Sequence, residues 1–197
     1  KSQIGVDDQD EWQTLSGFTK KIVNAGAGRH IVHARKAILN GLSPKQNREI
    51  PPLRYELVYR LKEEIADLPI VLNGGINTHD EIAEHLQSVD GIMIGRAAYQ
   101  NPCILASVDR YYFDPASSIR SPKNILYEML PYIEKATADG VPLRAILRHM
   151  MGLFRGVPGA RSWRRFLSEN AHREELGTDI VLAAMNEISN KVHAIAE

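Results

Sequence analysis

Ile70-Val71-Leu72-Asn73-Gly74-Gly75-Ile76-Asn77-Thr78-His79-Asp80-Glu81 decides the fold. Three branched or bulky apolar residues running into a glycine pair predict a strand that stops at Asn73. Thr78 followed by Glu81 is a capping box, so a helix opens directly after the turn. Ten residues beyond Glu81, Gly91-Ile92-Met93-Ile94 predicts the next strand, ending at Gly95-Arg96. Upstream, Tyr55, Val58, Tyr59, Leu61, Lys62 and Ile65 recur at helical spacing, His30-Ile31-Val32-His33 reads as a short strand, and Trp12, Leu15, Phe18 and Ile22 mark a helix behind Asp7, Asp8 and Asp10. Lys1 to Gly5 is strand-like. The order is strand, helix, strand, helix, strand, helix, strand, which implies right-handed crossovers and a parallel sheet. The strand ends at His33, Asn73 and Gly95 lie 40 and 22 residues apart, close on average to the roughly 30 residues of one β/α barrel unit. Four strands cannot close an eight-stranded barrel, so about half of one is expected. A start at Lys1 predicts a piece of something longer.

The segment from Arg35 to Pro52 holds Gly41, Pro44, Asn47, Pro51 and Pro52 and predicts a long loop, the kind that carries function in compact proteins. The pattern changes at Asp114-Pro115-Ala116-Ser117-Ser118, a turn-rich link. Beyond it no strand is predicted. Ile125, Met129, Leu130 and Ile133 mark one helix with Pro131 inside it. Leu143, Ile146, Leu147, Met150 and Phe154 mark a second behind Pro142. Trp163, Phe166, Leu167 and Asn170 mark a third, and Val181, Met185, Ile188, Val192 and Ile195 a fourth. The division expected is therefore a partial barrel over 1–115 and a helical bundle over 121–197.

Composition sets the outer limits. The 197 residues are 44% hydrophobic and 24% charged, with 24 basic against 24 acidic side chains, which excludes a disordered chain and a uniformly basic one. The single cysteine, Cys103, forbids an intrachain disulfide and any Cys-rich metal site, and fits a reducing, cytoplasmic setting. Its plainer reading is a buried small residue. No apolar run reaches the roughly 18–20 residues that span a bilayer.

Parallel β/α folds bind ligands at the C-terminal ends of strands. Lys1, His33, Asn73-Gly74-Gly75 and Gly95-Arg96 fall at such positions. A glycine pair admits close backbone approach, and a helix N-terminus with an arginine suits a phosphate. Any of these alone has a plainer reading: a turn, a surface ion pair, a packed imidazole. Their coincidence on successive strands points to a phosphorylated ligand facing a lysine and a histidine.

Lys1-Ser2-Gln3-Ile4-Gly5-Val6-Asp7-Asp8, Ile31-Val32-His33-Ala34-Arg35-Lys36-Ala37, Leu42-Ser43-Pro44-Lys45-Gln46-Asn47-Arg48, Leu72-Asn73-Gly74-Gly75-Ile76, Met93-Ile94-Gly95-Arg96-Ala97-Ala98-Tyr99-Gln100-Asn101-Pro102 and Gly159-Ala160-Arg161-Ser162-Trp163-Arg164-Arg165 resemble the A-type branch of the tRNA-dihydrouridine synthases, from Lys1 to about Arg173. The resemblance implies the second half of a (β/α)8 TIM barrel followed by a small helical bundle, in a flavoprotein oxidoreductase of tRNA processing. FMN recharged by NADPH would reduce a D-loop uridine to 5,6-dihydrouridine. Lys1 and His33 would contact the flavin, Asn73, Gly74 and Gly75 its tail, and Gly95 with Arg96 its phosphate. A cation beside the flavin N1/C2=O edge favours the anionic reduced form. Two departures stand out. Gln3 replaces a usual arginine, and the family's proton-donating cysteine belongs upstream of Lys1, so no catalytic residue and no metal site is assigned to this chain, which alone is expected to be inactive.

The neutral total hides asymmetry. Residues 144–173 carry seven basic side chains against Glu169, and 35–54 carry five against Glu49. Arg161, Arg164 and Arg165 share a helix face opposite Trp163, Phe166 and Leu167, and Arg35, Lys36, Lys45 and Arg48 make the loop beside His33 basic. Both are expected to bind the tRNA backbone, with the target base flipped toward the barrel mouth. The partners expected are tRNA and NADPH, with neither DNA nor a membrane, and a complete protein that is monomeric. The alternatives are a non-catalytic RNA-binding remnant and another phosphate-binding β/α barrel of pyrimidine or amino-acid biosynthesis.

Overall fold

The structure, a computed structural model, describes residues 1–173 and 177–196, with the side chains of 189–196 outside that description. The fourth-helix positions Val192 and Ile195 therefore lie outside the described side chains. The chain divides into two compact units, 1–95 and 96–197, so residues 96–115 group with the helices.

The first unit is built on a parallel sheet in sequence order: β1 (Ser2–Gln3), β2 (His30–His33), β3 (Ile70–Asn73) and β4 (Gly91–Met93). The connections are helical: α1 (Glu11–Asn24), then α2 (Pro44–Asn47) and α3 (Tyr55–Glu64), then α4 (His79–His85). Side-chain caps start three of these helices. Asp10 accepts the Gln13 N–H at 2.7 Å to begin α1. Ser43 and Gln46 form a reciprocal capping box around Pro44 at α2, and Thr78 with Glu81 does the same at α4.

Alternation along the strands sorts the residues. Val32, Ile70 and Leu72 are fully buried against the helices with Leu15, Val58 and Leu61, each contributing about 1.5–3 kcal/mol of burial. One polar residue shares that layer. His30 is 1% exposed and is held between Ser2 Oγ at 2.8 Å and Thr19 Oγ1 at 3.1 Å. Thr19 spends its own hydroxyl proton on the Leu15 carbonyl, so it accepts from His30 Nδ1. This network turns α1 so that Leu15, Ser16 and Thr19 are its buried residues while Phe18 stays 44% exposed; the stripe read from Trp12 and Phe18 is rotated by one polar contact.

Burial lowers the His30 pKa from 6.5 to about 4. Between those values the unfolded chain holds a proton that the folded chain excludes, so stability falls as pH drops from about 6.5 toward 4. The loss by pH 5 is expected to be about 2 kcal/mol. Urea midpoints at pH 7.5 and 5 check it, and H30Q should flatten that interval; an equally steep fall in H30Q would assign the effect elsewhere.

The second unit opens with α5 (Arg96–Gln100), a 3₁₀ turn (Pro102–Ser107) and α6 (Val108–Tyr112), followed by α7 (Pro122–Ala138), α8 (Leu143–Leu147), α9 (Ala160–Asn170) and α10 (Asp179–Ala196). Its core gathers Leu126, Ile133, Leu147, Trp163, Leu167 and Val181, all fully buried. Pro131 sits inside α7. The helix expected over Leu143–Phe154 stops at Leu147 and continues as tight turns. The cause is tertiary. A Cβ on Gly152 would lie 2.4 Å from the Gln100 carbonyl oxygen, so the chain passes there at a distance that only glycine permits.

Candidate flavin site

Register brings the site together. Gln3 pairs with His33, His33 with Asn73, and Asn73 with Met93, placing one residue from each strand in a single row at the C-terminal edge. Period-two alternation puts all four on the same face, and Ile31 and Val71 lie one layer below them. That face is half-exposed.

Asn73 ties the row. Its Nδ2 donates to the Met93 carbonyl at 2.7 Å, which leaves Oδ1 to accept from His33 Nδ1 at 3.0 Å. The imidazole hydrogen is thereby assigned to Nδ1, and in the neutral ring Nε2 is the acceptor.

Lys1, Ser2, Gln3, His33, Arg48 and Asn73 line a hollow of about 330 Å³ beside the row, at the lower end of the range for small-molecule sites. Lys1 is not at a strand end. It stands two residues below the rim on the same face, its Nζ 3.3 Å from Met93 Sδ. The lining holds two cations and no carboxylate.

Arg48 reaches the hollow because the long loop is ordered. Asn47 brackets Ile38 through its N–H at 2.7 Å and its carbonyl at 2.6 Å. Asp7, at φ 48°, takes the Leu39 N–H at 2.7 Å, and its own N–H donates to the Ala37 carbonyl. Arg35, expected among the RNA-facing cations, is placed differently. It is buried and its guanidinium donates to the Pro51 carbonyl, so it braces the loop from inside. Lys36 is likewise engaged, with the Gln9 carbonyl at 2.9 Å and Glu11 at 3.6 Å. Lys45 and Arg48 are exposed.

The glycine pair is also corrected. Gly74 and Gly75 have φ of 126° and 73°, but the space beside them is filled by the protein. A Cβ on Gly75 would meet Leu53 Cδ1 at 2.5 Å and Tyr55 Oη at 2.9 Å, and one on Gly74 would meet Leu53 and the His33 ring. Tyr55 donates to the Gly74 carbonyl at 2.8 Å, and burial is the main cause raising its pKa. These glycines therefore let the 53–55 segment close over the strand end and press on His33. In the sequence Tyr55 reads only as a position of α3, and neither it nor Leu53 is marked as a site residue, because their approach to the glycine pair joins segments about twenty residues apart. Gly74, Gly75 and Gly95 are not among the lining residues; Gly95 is exposed with open space around its α-carbon. Arg96 is exposed and belongs to the second unit.

In that unit Arg161, Arg164 and Arg165 are exposed on α9 while Trp163 and Leu167 are fully buried, as the spacing predicts. Arg165 stands 4.0 Å from Glu169. Cys103 donates to the Leu153 carbonyl at 3.1 Å, and burial raises its pKa, so it is a packed thiol. No group of metal-ligating side chains occurs among the described residues, and no helix among them is long and apolar enough to cross a membrane.

Comparison with known proteins agrees in direction. Residues 1–190 match the family model of dihydrouridine synthase. The chain is 47% identical over 190 residues to the tRNA-dihydrouridine(20/20a) synthase of Pasteurella multocida, covering 96% of this chain and 58% of that protein. It is 47% identical over 194 residues to the synthase of the same name from Shewanella oneidensis, covering 98% and 58%. For that of Escherichia coli K12 the figures are 47% over 192 residues, 97% and 56%. The chain thus spans somewhat over half the length of these relatives. With a parallel four-stranded sheet and a family match across nearly all its length, the chain belongs to the dihydrouridine synthase family.

Proposed function

We propose that the chain forms the second half of a (β/α)8 barrel and the helical domain of an FMN-dependent, NADPH-consuming cytoplasmic enzyme that reduces tRNA uridines, those at positions 20 and 20a as in the names of its relatives. The observation that carries this is the meeting of Lys1, His33 and Asn73, three residues far apart in sequence, on one hollow.

The donor set fits a flavin. An isoalloxazine offers carbonyl and ring-nitrogen acceptors on one edge and two apolar faces. Lys1 and Arg48 supply donors without acceptors, His33 and Asn73 supply oriented polar atoms, and Ile31, Val71 and Met93 lie on the same sheet face. FMN, when bound, supplies the hydride. Lys1 would stabilise negative charge on the reduced flavin. Asn73 holds the imidazole of His33 in one tautomer. The neutral side chain of Gln3 stands in the rim where a further positive charge would strengthen that field. Gly95 and Arg96 are assigned the phosphate by sequence pattern. The proton donor is assigned to no residue of this chain, because Cys103 is committed to the Leu153 carbonyl. The exposed cations Lys45, Arg48, Arg161, Arg164 and Arg165 are assigned to the tRNA backbone.

Titrating the purified chain with FMN tests the reading through flavin fluorescence. Saturable quenching is expected, weakened about tenfold or more in a K1A/H33A double variant, since a charge-assisted bond contributes about 1.5–3 kcal/mol. Saturable binding that is indifferent to both substitutions would remove the hollow as the flavin site.

A further inference from the structure

We propose that Arg148, Arg155 and Arg164, with Tyr99, form a clasp for a single backbone phosphate of the RNA, the adjacent base stacking on the Tyr99 ring. This rests on the tRNA reading above and names the place where the helical unit grips one nucleotide.

The helical unit contains its own hollow of about 250 Å³, lined by Tyr99, Gln100, Arg148, Gly152, Arg155 and Arg164 among others. No carboxylate contributes to it. The three arginines come from separate places, the turn after α8, the turn before α9, and α9 itself, yet line one hollow. All three arginines are exposed, so each charge is retained without a burial penalty.

The hollow is organised from behind. Arg148 Nε donates to His149 Nε2 at 3.0 Å. A guanidinium can only donate, so that ring nitrogen accepts and the imidazole hydrogen sits on Nδ1. It faces Tyr99 Oη at 3.0 Å, which therefore accepts, and the phenol hydrogen is left to be donated. The His149 ring also meets the Tyr99 ring edge-on at 5.6 Å. One imidazole thus fixes both Arg148 and Tyr99 while leaving both terminal nitrogens of Arg148 outside this contact. Arg155 Nη1 is steadied by Gln100 Oε1 at 3.3 Å. Arg164 follows Trp163, which is fully buried, so its backbone is anchored by the core.

Convergent planar guanidinium groups match phosphate oxygens. A hollow below about 300 Å³ is small for a whole nucleotide but holds a phosphate and part of its sugar. Tyr99, 57% exposed, offers a ring face for a base; such stacking is sequence-tolerant. The excess of basic residues across 144–173 extends the favourable field along a strand. A nucleotide cofactor's phosphate offers the same chemistry, and the experiment separates the two.

The probe is a fluorescently labelled, unmodified tRNA transcript, bound to the purified chain across a range of salt. R148Q/R155Q/R164Q is expected to weaken binding at least about tenfold. The slope of log K against log salt should fall by about 1, the signature of one phosphate lost. A fall near 3 would mean three independent phosphates and would overturn the clasp, as would no change. Y99F is expected to bind like wild type and Y99L more weakly; equal binding by all three overturns the stacking. If the triple variant does not fold, R155Q alone carries the same test at smaller amplitude. Displacement of tRNA by NADPH in wild type but not in the triple variant would give the hollow to the cofactor and overturn the proposal. A wild-type chain that binds no tRNA would remove the tRNA reading itself, whereas tRNA binding indifferent to these variants removes the clasp alone.

Discussion

Trp163→Ala is expected to destabilise the helical unit by about 3–5 kcal/mol, the range for deleting a buried indole. Trp163 is the largest of the fully buried side chains. It meets the Phe154 ring edge-on at 4.8 Å and donates its Nε1 hydrogen to the Met150 carbonyl at 3.3 Å. Truncation therefore opens a cavity and removes one of the two donors to the Met150 carbonyl, leaving the Leu153 N–H at 3.0 Å. Because 1–95 and 96–197 are separate compact units, the loss should appear as exchange of amides in α9 while the amides of β2 and β3 keep their protection. Hydrogen exchange read residue by residue checks this, and a uniform loss across both units would show that they unfold as one. A cost below about 1 kcal/mol would mean that the turns collapse onto the space, contrary to their anchoring.

The second large effect is Gly152→Ala. Its Cβ would stand 2.4 Å from the Gln100 oxygen, 2.9 Å from the Gln100 carbonyl carbon and 3.2 Å from Pro102 Cδ. Backbone cannot swing aside as a side-chain tip can, and the chain there is pinned by the Asn101 N–H on the Ala97 carbonyl at 2.8 Å. The expected cost is about 3 kcal/mol, at the upper end for overpacking. The same shift displaces the turns carrying Arg148 and Arg155, so on the clasp proposed above tRNA affinity should fall even in folded protein. Gly17→Ala is the matched control. It lies in α1 with nothing within 4 Å of its Cβ position, so alanine should stabilise that helix by about 0.5–1 kcal/mol. Thermal melts of the two variants check the contrast. Equal melting temperatures would show that the Gln100 contact yields.

Features encoded by neighbouring residues were legible in the sequence. Thr78 with Glu81 announced α4, the period of Tyr55, Val58, Leu61 and Lys62 announced α3, and Ile70 to Asn73 announced the strand whose register carries the rim. The capping box of Ser43 and Gln46 was equally local and marks α2 inside a segment expected to be loop. Features set by partners distant in the chain were not. Arg35 looks like any loop cation until the Pro51 carbonyl is placed beside it. Gly152 reads as an interruption in a helix until Gln100 lies against it. Gly74 and Gly75 look like an open cradle until Leu53 and Tyr55 fill it. Arg148 and Arg155 entered only as charge, because their convergence depends on the turns that Gly152 makes. The rim itself was half-legible: His33 and Asn73 stand where strand ends put them, and Lys1 reaches the same hollow from a layer below.

The row Gln3, His33, Asn73 and Met93 takes one residue from each of four strands, and ladder hydrogen bonds alone set its spacing. The excursions between those strands enter and leave the sheet at fixed points, so lengthening one of them displaces no member of the row. Insertions near 40–42, where Gly41 has open space around it, are therefore the changes this architecture absorbs most readily. A lineage could rewrite those excursions while the rim is inherited intact.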